Sequence, residues 1–447
     1  MRPPAAWFGT SVACVLALAS FCYLIRDGVG GLLRAPLDFT AFRCGGALLA
    51  RGADPYLVEP LRTCERSSLI LVGKHLTPHL VVPAPLPPFA LLAFAAFGSL
   101  QPPIPSAIWA GLLFAAFIAT CLLLRPMTRA PMLVIACALV ASGFIASLVI
   151  GQLMPIEIAF LAATAAALSA GWPVAAAAAA AAALTEPQIG VPVVLGLALW
   201  EPRARLPLCA ALLGLAGLSV LPHGPHIALE YLTRVLPAEA ATEGLDAAKQ
   251  FALSAQLALI GVPSTPALVA GAASYVLMTA LGLRAGYLLA KRFGEGAFAV
   301  LTPPAFALIG GTYVHIHQVA AAIPLALLLD GRVQRMRLTL LAALLLLATP
   351  WQTIGEFAIA RPLPPQQLTI AEHLMDLVDD DDAPAAGVWG MWVTSSAHNA
   401  NGQAIGLAEK VPTWLGLLAL LTVALDAAFP EALRSLRLRS RARAPTC

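Results

Sequence analysis

Of the 447 residues, 59% are hydrophobic and only 11% are charged, against about 25% charged in an ordinary soluble domain. Too little polar surface remains to cover a large soluble core, which excludes a soluble nucleotide-sugar enzyme. The net charge of +3 is scattered over short segments and forms no basic stripe with interleaved aromatics, so a nucleic-acid partner is not expected.

The apolar residues fall into blocks suited to crossing a bilayer, about 17–25 residues each. In chain order the predicted spans are 5–25, 104–124, 131–150, 154–170, 206–222, 266–290, 297–314, 316–329, 338–350 and 411–429. The first follows Arg2 and contains Ala17-Leu18-Ala19, as a cleaved leader would. Its apolar run continues through Ile25, so it reads as a retained helix. Residues 86–100, after a Pro-rich start, read as a short or re-entrant helix. Residues 173–200 are interrupted by Thr185-Glu186-Pro187, and read either as one kinked span or as two helices meeting at a polar tip. The nine alanines at 175–183 form helix at low cost and permit close helix packing. The fold class expected is an all-α polytopic membrane protein, one integral-membrane domain over 1–447 with about 10–12 transmembrane helices.

Lys and Arg in short loops set orientation. Arg125, Arg129, Arg203, Arg205, Lys291, Arg292, Arg332, Arg335 and Arg337 fall on one side if 86–100 does not span and 173–200 is a hairpin. That side is then cytoplasmic, with both termini inside and 430–447 as a basic cytoplasmic tail. The plasma membrane is the expected location. Three long segments lie outside: 26–85, 223–265 and 351–410. Arg26, Arg34, Arg43, Arg51, Arg62, Arg66 and Lys74 of the first pull the other way, but long loops weigh less under the rule. The eight cysteines show no metal spacing. Cys44 and Cys64 share the first outer segment and could form a disulfide outside the cytoplasm.

Polar residues at the membrane boundary are the candidates for chemistry. Asp38 lies soon after the first span, where a carboxylate can meet both a lipid-borne and a water-borne substrate and take a proton from an acceptor hydroxyl. The alternative is an acid capping a short interfacial helix. Gln152 and Glu157 follow the 131–150 span. They read as sugar-binding groups, or as polar groups at a helix end. Glu186 needs a cation, a donor or a proton wherever it is buried. His315, His317 and Gln318 follow Tyr313 at a late junction. Histidines two apart do not share a helical face, which disfavours a helical metal pair, and no metal or cofactor is expected. A histidine there could contact phosphate or share proton transfer, or could serve structure alone.

Asp38-Phe39, Phe42, Leu48-Leu49, Gly52 and Pro55-Tyr56 resemble the opening of the C-superfamily integral-membrane glycosyltransferases. More narrowly, the chain is similar to glycosyltransferase family 87, the polyprenol-phosphate-mannose-dependent α-mannosyltransferase type. Pro87-Pro88-Phe89, Gly151-Gln152, Tyr231-Leu232 with Val235-Leu236-Pro237, Gln256 with Gly261, and the His315/His317 stretch follow in that family's order, over roughly 30–330. The chain departs from the pattern at Glu186-Pro187, where the family usually has Lys-Pro. Met154 stands where an Asn is common, and the tyrosine expected near Phe42 is absent.

The resemblance implies interfacial helices in the first outer loop and Asp38 as the catalytic base. It implies a polyprenyl-phosphate sugar as donor and an active site on the outer side. A hexose, mannose by the resemblance, would move to a lipid- or glycan-linked acceptor. Arg43, Tyr56, Gln152, Glu157, Glu186, His315, His317 and Gln318 form the expected substrate-binding set. Arg43, Arg62, Lys74 or the histidines would compensate the leaving phosphate. Membrane lipid is the remaining partner. A transporter or lipid flippase, and a non-catalytic membrane scaffold, are the alternatives.

Overall fold

The computed structural model describes residues 36–71, 81–221, 223–246, 250–349, 351, 381–389 and 400–430, with isolated positions 15, 17 and 18. The predicted span 5–25, Lys74, most of 351–410 and the 431–447 part of the tail lie outside the described residues. Every regular element among the described residues is helical, and none is a β-strand.

The chain opens with α1 (Leu37–Ala50) and α2 (Val58–Leu71), joined by a disulfide between Cys44 and Cys64. A short α3 (Pro88–Phe94) packs against α1 so closely that a Cβ on Gly46 would lie 2.6 Å from the Leu91 carbonyl oxygen. The long α4 (Ile104–Leu124) follows. Then α5 (Met132–Leu139) passes through a π turn at Val140–Phe144 into α6 (Ile145–Ile150). Gly143 in that turn has φ +130°, so the predicted 131–150 span is interrupted rather than continuous.

Next come α7 (Met154–Ser169), α8 (Pro173–Ala182), α9 (Pro187–Trp200) and α10 (Arg205–Val220). Proline occupies the first turn of α3, α4, α7, α8 and α9, where its missing N–H costs no helical hydrogen bond. Short helices α11 (Pro225–Glu230), α12 (Leu236–Ala241) and α13 (Leu253–Leu259) lead to α14 (Ser264–Phe293) and α15 (Ala297–Ala307). The predicted 297–314 span stops early because Gly310 and Gly311 (φ +113°) turn the chain against α14. A 3-10 turn over Ile316–Ala322 then enters α16 (Ile323–Leu329), followed by α17 (Arg337–Ala348) and α18 (Ala400–Ala428).

Two ends of this bundle are defined by contacts between loops. At one, Arg129 donates to the Gly331 carbonyl (2.7 Å) and Arg332 to that of Met127 (3.0 Å). Ser169 meets Glu295 (2.5 Å), Gly296 lies on Trp200 and Leu168, and Arg292 caps the Ala427 carbonyl. At the other end the three predicted outer segments meet. Arg62 pairs with Asp381 (2.7 Å), the Ala385 amide donates to the Tyr56 carbonyl (2.8 Å), and Arg234 donates to the Asp382 carbonyl (3.1 Å).

The 173–200 segment resolves into a hairpin. It leaves the first end near Leu168, tips at Glu186, which bonds Gln318 at the second end, and returns with Trp200 beside Gly296. Residues 88–97 stay beside α1 and do not traverse the bundle.

Four described helices are long and apolar enough to cross a membrane: Ile104–Leu124, Pro202–Val220, Ser264–Phe293 and Lys410–Ala428. The other apolar helices that were expected to span are shorter, 10–17 residues, and their core-facing residues are buried against one another. The alanines of α8 supply Ala176, Ala177, Ala180 and Ala181 to that core. The outer helices carry exposed leucines instead, with Leu206 80%, Leu213 73% and Leu221 77% exposed along α10. In water each such side chain would forgo about 1.5–3 kcal/mol of burial. Against lipid tails the same face is at home. The molecule is an all-α membrane protein.

Candidate active site

Asp38 sits in the first turn of α1, where the helix dipole favours a carboxylate. The turn is seated on Gly151. That residue has φ +83°, and a Cβ there would fall 2.7 Å from the Phe39 Cβ and 2.9 Å from the Pro36 Cβ. Only glycine meets both requirements. Trp109 stacks on Phe39 (centroids 5.2 Å apart) and donates from its indole nitrogen to the Gly151 carbonyl (3.0 Å). The Gly151 and Gln152 amides both donate to the Ser147 carbonyl at the end of α6. The outcome is a short bond: Gln152 Nε2 donates to Asp38 Oδ2 at 2.5 Å.

Glu186 lies beyond this pair at the tip of the α8–α9 hairpin. Its Oε2 accepts from Gln188 (2.6 Å) and from Gln318 (3.0 Å). Gln318 is itself held by the His315 amide, which donates to its Oε1 at 2.9 Å. Asp38 and His315 both interact electrostatically with Glu186, as does Glu157 from the first turn of α7. Glu157 is 1% exposed, and its Oε1 has no hydrogen-bond partner among the described residues.

The loop before α13 closes the far side. The Phe251 amide donates to the Val314 carbonyl (2.7 Å), and the Val314 amide to Gln250 Oε1 (2.8 Å). Those bonds place His315 Nε2 2.7 Å from the Tyr313 hydroxyl, 3.0 Å from Gln250 Nε2 and 3.2 Å from Glu243 Oε1. Tyr313 also hydrogen-bonds Glu239. Burial holds the Glu239 carboxyl well above the ordinary carboxylate range, and Glu243 pushes it the same way. His317 stacks on His315 with ring centroids 5.2 Å apart. Among the described residues no three His, Cys, Asp or Glu side chains are arranged to hold a metal ion.

Six of the predicted residues therefore belong to one connected region: Asp38, Gln152, Glu157, Glu186, His315 and Gln318, with His317 behind His315. Gln152 is bonded to Asp38, which makes it a positioning group for that carboxylate. Arg43 and Tyr56 do not join them. Arg43 donates to the Phe97 and Leu100 carbonyls (3.1 and 2.8 Å) and ties α1 to the turn after α3. The Tyr56 hydroxyl donates to the Leu86 carbonyl (2.7 Å). Arg62 is occupied by Glu59 (2.5 Å) and Asp381.

Sequence reasoning passed over Glu239, Glu243 and Gln250. The first two stand four residues apart in a segment read only as an outer loop, and the contacts of Glu239 with Tyr313 and of Glu243 with His315 depend on the pairing of residues 250–251 with 314–315. Beneath Gln152 a small apolar recess of about 20 Å³ lies between α4, the α5–α6 turn and α7, lined by Phe117, Leu139, Phe144, Ser147 and Ile158 among others.

No protein-family model matches the chain, and neither a curated protein nor a solved structure does.

Proposed function

We propose that the protein is a membrane glycosyltransferase that moves a hexose from a polyprenyl-phosphate donor to a hydroxyl of a lipid- or glycan-linked acceptor. Mannose is the sugar implied by the resemblance to family 87. The observation that carries the reading is the Asp38–Gln152 bond. A carboxylate at the edge of a membrane bundle is oriented by a dedicated carboxamide and faces a region of Glu, Gln, His and Tyr side chains suited to sugar hydroxyls. In the reaction the acceptor oxygen attacks the anomeric carbon and its proton passes to Asp38. The bond to the phosphate oxygen breaks, and polyprenyl phosphate leaves. With Arg43 and Arg62 bonded elsewhere, we assign the phosphate contact to His315.

Orientation rests on two supports. The short arginine-bearing loops gather at the end opposite Asp38, which supports reading that end as cytoplasmic. The Cys44–Cys64 bond lies at the Asp38 end, as an oxidising outer compartment allows. We read the chain as multi-pass in the plasma membrane, with both termini inside and the site outside.

The test is transfer from polyprenyl-phosphate mannose to a panel of acceptors by the purified full-length protein, with Asp38→Asn in parallel. Full transfer by the variant overturns the mechanism. A transporter is the second reading, favoured by the buried Glu157 and Glu186. It expects solute uptake into proteoliposomes without any transfer product.

A further inference from the structure

The 223–265 segment is expected from its sequence to be aqueous, yet one helical run within it is not built for water alone. α11, the π turn over Tyr231–Val235 and α12 form a continuous helix from Pro225 to Ala241. Its side chains sort into three faces. Ile227, Tyr231 and Val235 recur every four residues and are buried in one cluster with Tyr56 and Ala386. The Tyr231 and Tyr56 rings lie 5.7 Å apart. Glu230 and Arg234 recur at the same spacing and pair at 2.7 Å, and Arg234 donates onward to the Asp382 carbonyl at 3.1 Å. Leu229 and Leu232 belong to neither face. They are 56% and 58% exposed, and three residues apart they are neighbours on the helix surface.

Two exposed leucines alone would mean little. What flanks them decides their partner. α10 is one of the helices long and apolar enough to cross a membrane, and its exposed leucines continue to Leu221. The Gly224 amide donates back to the Val220 carbonyl at 2.8 Å, so a single tight turn carries α10 into α11. His223 in that turn bonds the Leu49 carbonyl, which fixes the turn on α1. At the other flank Ile260, at the end of α13, is 75% exposed and stands just before α14, a second such helix with Val269 exposed. The lipid-facing surface of two spans therefore runs onto the segment from both sides.

A helix between protein and water needs one buried face and one polar face. A third face, apolar and exposed, fits a helix that also meets lipid. We propose that the 225–241 helix lies in the membrane–water boundary at the Asp38 end. Leu229 and Leu232 dip into the acyl chains, and Glu230 and Arg234 turn to the 381–389 segment. Such a helix seats its apolar side about 5–10 Å into the boundary between headgroups and acyl chains. The partner is the lipid surface itself, and the inference does not depend on the transferase reading. It bears on the candidate site because α12 carries Glu239, which Tyr313 hydrogen-bonds. The anchored helix sets the height of that residue, and of Tyr56, in the bilayer.

The experiment places nitroxide labels through Leu229→Cys and Leu232→Cys in the full-length protein, with every cysteine except Cys44 and Cys64 replaced by alanine, in nanodiscs of phosphatidylcholine and phosphatidylglycerol. Leu213→Cys on α10 is the lipid standard, and Asp382→Cys, at an exposed position, is the aqueous one. Collision with oxygen, which partitions into acyl chains, is compared with collision with a water-soluble nickel chelate. Both leucine positions should favour oxygen as Leu213→Cys does, at a depth of about 5–10 Å. Preference for nickel at both positions overturns the proposal, because the face is then aqueous. Low collision with both reagents also overturns it, because another part of the chain or a second copy then covers the face. The wild-type protein supplies a check without substitutions. Hydroxyl radicals generated in water should leave Leu229 and Leu232 unmodified in the nanodisc, and their oxidation overturns the proposal even if the cysteine-replaced protein fails to fold.

Discussion

The two ends of the helical bundle use charge in opposite ways. At the end bearing Arg129 and Arg332, cations are spent on carbonyls and one carboxylate: Arg129 on Gly331, Arg332 on Met127 and Leu328, with Glu295 at 3.9 Å from Arg332. These contacts tie loops together and close the bundle. At the end bearing Asp38, Arg62 and Arg234 pair with partly exposed carboxylates, while Asp38 and Glu186 are bonded to carboxamides and the buried Glu157 Oε1 and Glu239 Oε1 have no donor among the described residues. Folding alone selects against unmet polar atoms in a buried site. Where they persist in a group, a ligand is the natural partner. The comparison assigns structure to one end and chemistry to the other, and it can be broken by substitution at either.

The largest effect is expected at Asp38. Asparagine preserves the side-chain volume and can still accept from Gln152, so Asp38→Asn should keep its gel-filtration profile and helical content. It cannot take up a proton, and transfer should fall by about 10²–10⁴-fold. Initial rates with polyprenyl-phosphate mannose read this directly.

The disulfide comes next. Cys44 and Cys64 enclose a separation of 20 residues, for which loss of the link costs about 3 kcal/mol. Replacing both with serine should lower the thermal midpoint and loosen α1 on α2, and with it the seat of Asp38. After reduction, a membrane-impermeant maleimide added from outside should label Cys64, the partly exposed partner of the buried Cys44, in intact cells. Labelling only after the membrane is opened would reverse the proposed orientation.

Gly151→Ala sharpens the comparison within the chemical end. The added methyl meets Phe39 and Pro36 at under 3 Å on a backbone with φ +83°, and strain of this kind costs about 1–3 kcal/mol. We expect a lower thermal midpoint together with reduced transfer, because the clash is with the turn that carries Asp38. A variant with normal stability and normal transfer would remove Gly151 from the positioning of that residue.

Much of the fold was legible before any coordinates. Predicted boundaries at 104–124 coincide with α4, and Thr185-Glu186-Pro187 marked a break, either a kink or a hairpin tip, because proline and a polar break in an apolar run are local signals. The early end of 297–314 was not legible. Its cause is the close approach of Gly310 to the Ser274 backbone on α14, a tertiary contact. The same distinction runs through the site. Asp38, Gln152, Glu186 and Gln318 stood out as polar residues at apolar boundaries. Arg43 and Tyr56 stood out equally well, yet both serve as anchors. Residue type and position do not reveal whether a neighbouring carbonyl already occupies the donor. Glu239 and Glu243 were hidden because outer loops are polar throughout, and pairing of the Gln250 and His315 segments is what brings Tyr313 to Glu239 and His315 to Glu243.

The smallest effect is expected at the closed end. Arg332→Ala removes donors to the Met127 and Leu328 carbonyls and leaves Glu295 its hydrogen bond from Ser169. Each such hydrogen bond contributes about 0.5–1.5 kcal/mol, and the guanidinium also covers the Phe298 ring at 5.5 Å. Stability should drop by about 1–2 kcal/mol, seen as a modest fall in thermal midpoint. Transfer per folded molecule should not change, because Arg332 belongs to the loops gathered at the end opposite Asp38. If that specific activity falls as far as in Gly151→Ala, the two ends are coupled through the bundle. The division between a structural end and a chemical end would then have to give way to a site whose geometry depends on the full length of the helices.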